Sequence, residues 1–313
     1  MQAQPRLNGK YLSDRIAQTV FFVCALFLIA VIVGVFIFIG SNAFRIFSEG
    51  GTFKNFFLNI FWDPIGAYGN PSYGAGGLII GSVVITLLSV MIATPLSFGL
   101  ALFFTELSPY WLSRLLQPLI ELFTGMPSVV IGFLGLEVLV PALGHIFNPL
   151  EGGIQTGGYG WGSATLVLVI MILPTISSIA IDALRAVPTS VREASLALGS
   201  TRWQMMTRAV VPAASTGLAT AVVLGMARAI GETIAVTLVL GGQQIPKMPH
   251  NLQGWLFLFF QPNVNITQVI AVQFGDAFGA ARDAYWTLGL TLLIISFVFV
   301  CISRYLASRS VYK

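Results

Sequence analysis

The chain has 313 residues, of which 56% are hydrophobic and 9% charged, with a formal net charge of +4. Soluble domains carry ~25% charged residues, so this composition, with a mean hydropathy of +0.85, excludes a soluble globular enzyme. The positive balance is a matter of membrane topology and not of nucleic-acid binding.

In chain order, residues 1–15 are polar and basic (Arg6, Lys10, Arg15) and read as a cytoplasmic N-terminal segment. The apolar run 16–40 exceeds the ~7–15 residues of a signal-peptide core and is expected to be an uncleaved first span. Five more spans are expected at about 77–104, 115–143, 163–184, 213–240 and 284–306, giving an all-α polytopic membrane protein. It forms a single transmembrane domain over 16–306, with a short cytoplasmic tail at 307–313. Each run meets the ~20 residues needed to cross a bilayer. Among the outer loops, 41–76 carries Phe53, Phe56, Phe57, Phe61 and Trp62 and suits an interfacial segment. Loop 144–162 is glycine-rich and reads as a flexible connector. In 241–283, the run 255–260 is too short to cross and is expected to be re-entrant or superficial. Cys24 and Cys301 fall in separate apolar runs, so neither a disulfide framework nor a metal cluster is expected. His145 and His250 read as solvated loop residues.

The charges test this layout. With the N-terminus inside, eleven of the sixteen Lys and Arg residues fall in inner loops, and Arg45, Lys54, Lys247 and Arg282 in outer ones. Arg304 lies at the inner end of the sixth span, and Arg228 alone lies deep within one. That excess places both termini in the cytoplasm.

The inner segment 187–212 is patterned as helix, glycine turn, helix. Ser190 and Glu193 stand at capping-box spacing, and Gly199 offers the left-handed residue that ends such a helix. Ser200 or Thr201 is placed to cap a second helix, which Pro212 closes. Arg192, Arg202 and Arg208, with Trp203, Met205 and Met206, suit a surface that meets a partner. Within the fifth span, Arg228 and Glu232 are four apart and share a helix face, where they can pair. Arg228 lies about 24 Å along the helix from Pro212. An arginine at such depth costs at least ~2.5–3.5 kcal/mol on insertion scales, so it faces a polar cavity or a partner. It serves either as a structural lock or as a fixed cation with paired N–H donors for an oxyanion in transit. Ala221, Gly225 and Ala235 near the same face permit close packing or leave room for a ligand. In the third span, Pro127 removes a helix hydrogen bond and pushes Met126 out of helical geometry. A break there leaves Ser128 near a helix N-terminus that favours anions. The alternative is a packed kink. Glu121 and Thr124 precede the break, and Glu121 is expected near the inner end of the span.

The segment Glu193-Ala194-Ser195, with Gly199 four residues on and Pro212 thirteen beyond that, resembles the EAA loop of binding-protein-dependent ABC importer permeases. Ser195 and Val211 stand where Ala and Leu are usual. The blocks GMPSVVIGFLGL, ILPTISSIAIDALRAVP, REASLALGSTRWQ and ARAIGETIAV are together similar to the PstC-type permease subunits of phosphate ABC importers. That resemblance implies a type I importer permease architecture. On that resemblance the loop, with Arg192, Glu193, Ala194, Ser195, Gly199, Trp203 and Pro212, is expected to dock on an ATPase. Arg228, Glu232, Glu121, Thr124 and Ser128 are the residues expected along the substrate path. The implied partners are a second homologous permease (PstA type), an ATPase dimer (PstB type), an extracytoplasmic phosphate-binding protein (PstS type) and a phosphate-signalling regulator (PhoU type). ATP and Mg reside on the ATPase, and this chain needs no cofactor; it has no P-loop of its own. A permease for sulfate, molybdate or tungstate keeps the same architecture. An ATP-independent channel or secondary transporter has no need of the docking hairpin. A membrane-embedded enzyme requires a histidine or metal constellation that the spans lack.

Overall fold

The computed structural model describes residues 8–48, 52–66, 69–147, 157–242 and 258–309. Apolar runs with few charges become helices because, away from water, only internal hydrogen bonding satisfies the backbone. The elements are α1 Asn8–Ala43, α2 Arg45–Ser48, α3 Phe53–Leu58, β1 Trp62–Asp63, β2 Ser72–Tyr73, α4 Gly76–Leu102, α5 Tyr110–Gly125, α6 Ser128–Leu134, α7 Val140–Phe147 and α8 Trp161–Arg185. They continue with α9 Thr189–Ala197, α10 Arg202–Met205, α11 Val211–Ala213, α12 Ser215–Gly231, α13 Ile234–Leu240, α14 Ile266–Gln273 and α15 Ala280–Arg309. Five helices among the described residues are long and apolar enough to cross a membrane, and a bent pair makes six.

Helix α8 is the axis of the bundle, packed against α4, α5, α12 and α13. Its inward residues Trp161, Ile172, Ile176 and Leu184 are fully buried. Two serines eight residues apart on α4 tie the helices together: Ser89 Oγ donates to the Thr165 carbonyl and Ser97 Oγ to that of Leu173, both at 3.1 Å. Such bonds and small residues replace the hydrophobic drive that lipid cannot provide. At Gly225 a Cβ would stand 2.4 Å from Ile176 Cγ1, and at Gly132 one would stand 2.6 Å from Ala235 Cα. The small residues near Arg228 therefore serve helix packing rather than ligand space. Helix α1 packs along α15 and leaves its apolar surface exposed, as a peripheral span does.

The expected spans change in two places. The third span does not begin at residue 115. Met126 (ψ 133°) and Pro127 (ψ 132°) are extended because Pro127 cannot continue a helix and disfavours it before itself. Tyr110–Gly125 is therefore a separate helix, and the span is Ser128–Phe147. The fifth span breaks at Glu232 and Thr233, between α12 and α13. Its start is displaced as well, since Pro212 lies inside α11 and does not end the hairpin. The chain instead bends by 71° between Arg202–Ala213 and Ser215–Gly231.

The described residues of 41–76 form a packed cap. β1 pairs antiparallel with β2, and Phe56 and Trp62 are buried in a second core with Leu78, Ile266 and Tyr285. Trp62 meets the Tyr285 ring edge-on at 5.5 Å between centroids. Residues 148–156 of the glycine-rich loop lie outside the described residues, and its described end packs closely against α7. Gly158 has φ 76°, and a Cβ there would overlap the Val140 carbonyl oxygen. His145 is exposed as expected but lies on α7. His250 and residues 255–257 of the short apolar run lie outside the described residues. Among the described residues no cluster is suited to a metal.

Candidate functional site

The hairpin forms, and Thr201 caps its second arm as expected, but the first arm lacks the expected cap. Helix α9 begins after Pro188, and no side chain caps it, so the Ser190–Glu193 capping box is absent. The proline has already turned the chain, and Ser190 falls inside the first turn. The capping box is at the second arm: Gln204 N–H donates to Thr201 Oγ1 and Thr201 N–H to Gln204 Oε1. Gly199 has φ 81°, a region in which other residues are strained. Beside it Ser195 and Ser200 join their hydroxyls at 2.8 Å, and Ser200 Oγ donates to the Ser195 carbonyl. The turn is thus closed from both sides.

The hairpin is two-faced. Glu193, Ala194, Leu198 and Trp203 are exposed, Leu198 by 89%, and Pro212 is half-buried at the far end of the second arm. Met205 and Met206, expected on the partner-facing surface, are instead buried against the bundle. They anchor the second arm to the core. Arg192 also turns inward: its Nε and Nη2 lie 3.0 and 2.9 Å from Glu106 Oε1. Nη1 donates to the Val187 carbonyl and Nη2 to that of Leu184. The Glu106 side chain is only 7% exposed, so this is a largely buried, multiply hydrogen-bonded pair. It ties the first arm of the hairpin to the π-helical turn Phe103–Leu107 that follows α4. Sequence reasoning missed Glu106. The only signal was a carboxylate closing an apolar run.

The second site centres on Arg228. The expected ion pair with Glu232 is absent because α12 ends at Gly231 and turns Glu232 away. Arg228 Nη1 donates to Thr175 Oγ1 at 2.8 Å, and both terminal nitrogens point at the Thr124 carbonyl at 3.3 Å. The guanidinium thereby caps the Thr124 carbonyl at the end of α5 and bridges three helices. Its hydrogen bonds go to neutral groups alone. Thr175, next to Pro174 in α8, is the residue that sequence reasoning missed, with no pattern to mark it. Ser128 opens α6 just beyond the break. Thr124 spends its own hydroxyl on the Ile120 carbonyl. Glu121 is not among these contacts: it is exposed and accepts a bond from Gln117, which accepts one from Arg185. Glu232 lines a separate cleft with Ser82, Thr86, Asn265 and Thr267. At ≈ 20 Å³ that cleft holds about one water molecule.

Residues 93–312 match the family of binding-protein-dependent transport system inner membrane components, which is more than half of the chain. This chain belongs to that family. The matched region includes the hairpin, the Arg192–Glu106 pair and the Arg228 cluster, and leaves out α1 and the outer cap. Within this family, the chain is 42% identical over 91% of its length, and 88% of the relative's, to a probable ABC transporter permease protein, YqgH, of Bacillus subtilis. It is 36% identical over 79% of its length and 78% of the relative's to the phosphate transport system permease protein PstC of Pasteurella multocida. It is 32% identical to that of Mesorhizobium japonicum over 95% of its length and 91% of the relative's. Its fold is shared with a chain of a bacterial alginate ABC transporter, at a TM-score of 0.65 and 16% identity over 97% of this chain and 98% of that one. It is shared also with a chain of the methionine transporter MetNI, at a TM-score of 0.56 and 16% identity over 76% and 96%.

Proposed function

We propose that this chain is the transmembrane permease subunit of an ATP-driven inorganic phosphate importer, forming half of the translocation pathway. The reading for phosphate rests on kinship to PstC proteins over most of the chain. The observation that carries the mechanism is Arg228, a cation held within the bundle by neutral dipoles. Carbonyl and hydroxyl partners orient a guanidinium without neutralising it. A tetrahedral oxyanion reaching the helix break offers stronger, charge-assisted bonds in their place.

Coupling runs through one ion pair and one stretch of contiguous backbone. The exposed Leu198 and Trp203 face docks on the ATPase, where ATP and Mg are bound and hydrolysis takes place. Movement of the hairpin is passed to α4 by Arg192 and Glu106. Through the bend at Ala214 it is passed to α12, which carries Arg228. The outer cap receives the phosphate-binding protein (PstS type). A second permease (PstA type) completes the path, an ATPase dimer (PstB type) lies below it, and a regulator (PhoU type) reads its activity. Both termini lie on the cytoplasmic side with the hairpin, in accord with the excess of Lys and Arg there.

The test is uptake of radiolabelled phosphate, with sulfate as competitor, in cells expressing the assembled transporter. Wild-type uptake that sulfate leaves unchanged, reduced about tenfold or more (~1.4 kcal/mol) in R228Q with assembly intact, is the expected result. Unchanged uptake in R228Q reduces Arg228 to a structural lock. Competition by sulfate passes the substrate assignment to another oxyanion.

A further inference from the structure

A second concentration of positive charge lies outside the path described above. Phe104, Thr105 and Ser108 after α4, Tyr110, Ser113, Arg114 and Gln117 on α5, and Arg185 at the end of α8 enclose an open pocket of ≈ 490 Å³. That is the size of a small-molecule site. Two guanidinium groups from different helices line it, and no carboxylate does. Neither Glu106 nor Glu121 lines it: Glu106 is paired with Arg192, and Glu121 accepts a bond from Gln117. Arg185 gives one N–H to Gln117 Oε1 at 3.0 Å, which steadies it and leaves its other donors for a ligand. The hydroxyls of Ser113 and Thr105 donate to the carbonyls of Phe104 and Ala101, so their oxygens remain as acceptors.

The pocket lies on the hairpin's side of the bundle, since Arg185 ends the helix that leads into α9. It opens beside an exposed stripe on α5. Trp111, Leu115, Leu119 and Leu122 recur at helical spacing and are all at least half exposed, and Tyr110 is 80% exposed. Aromatic residues at a helix start beside arginines mark the level of the lipid headgroups. Basic pockets between helices on the cytoplasmic side suit anionic headgroups.

We propose that the Arg114–Arg185 pocket binds the headgroup phosphate of an anionic phospholipid of the cytoplasmic leaflet. The two guanidinium groups hold the phosphate oxygens, and an acyl chain lies along Trp111, Leu115 and Leu122. Bound there, the lipid braces α5 against α8, directly below the break that Arg228 caps.

Native mass spectrometry of the assembled, delipidated transporter tests this, titrated with phosphatidylglycerol, phosphatidylcholine or inorganic phosphate. Phosphatidylglycerol should be retained over phosphatidylcholine. Its affinity should fall at least about tenfold in R114Q/R185Q, the loss expected when a charge-assisted bond is removed. The charge-keeping R114K/R185K should recover part of it. Both arginines are exposed, so assembly should survive either change. Equal retention of the two lipids, or retention indifferent to the arginines, overturns the proposal. Arginine-dependent binding of inorganic phosphate without phosphatidylglycerol also overturns it, and makes the pocket an anion site of the transport path instead.

Discussion

Arg192 and Arg228 are both arginines placed by helices against the core of the bundle, and they are held in opposite ways. Arg192 has a largely buried carboxylate and two carbonyls as partners. Arg228 has one carbonyl and one hydroxyl. The first arrangement cancels the charge and resists separation, as a part that transmits force must. The second orients the charge and leaves it available to an anion. Chemistry of the side chain does not separate a brace from a binding group; the charge of its partners does.

The comparison breaks most severely at Glu106. E106A leaves Arg192 partly buried without its carboxylate, which costs about 3 kcal/mol or more. Thermal unfolding of the solubilised transporter should shift down, and uptake should be lost. The double variant E106Q/R192Q should cost less than the sum of its single changes, since the two residues act as a unit.

The comparison sharpens at Thr175. T175D gives Arg228 the kind of partner that Arg192 has. Uptake should fall about tenfold or more (~1.4 kcal/mol), while unfolding stays where it was or rises. A fall in stability together with uptake would mean that the site tolerates no charge there, and would defeat the account of Arg228 as an orientable cation.

The smallest effect is expected at Gly199, which shapes the brace without touching either arginine. A Cβ there meets nothing within 4 Å, so G199A costs only the left-handed backbone, ~1–2 kcal/mol. Faster hydrogen exchange in the hairpin, with α8 unchanged, should report it.

How far these features were legible in the sequence depends on their range. A kink or break before Ser128 was legible from Pro127, because proline acts on its own residue and the one before, and the structure decided for the break. The turn at Gly199 was legible for the same reason. The capping box was placed one arm too early. Ser190–Glu193 and Thr201–Gln204 both have the spacing, and only the turn imposed by Pro188 decides between them. The pairing of Arg228 with Glu232 failed because spacing assumes an unbroken helix, and α12 ends between them.

The sequence by itself determined that the chain crosses a membrane, which apolar runs supply its spans, and that a polar hairpin interrupts them. These follow from hydropathy, proline and glycine, which act within a turn or two of helix. Only the tertiary structure decided what each charge touches. Glu106 stands 86 residues from Arg192, and Thr124 stands 104 from Arg228. Such partners meet through the packing of whole helices, and no local pattern carries that information.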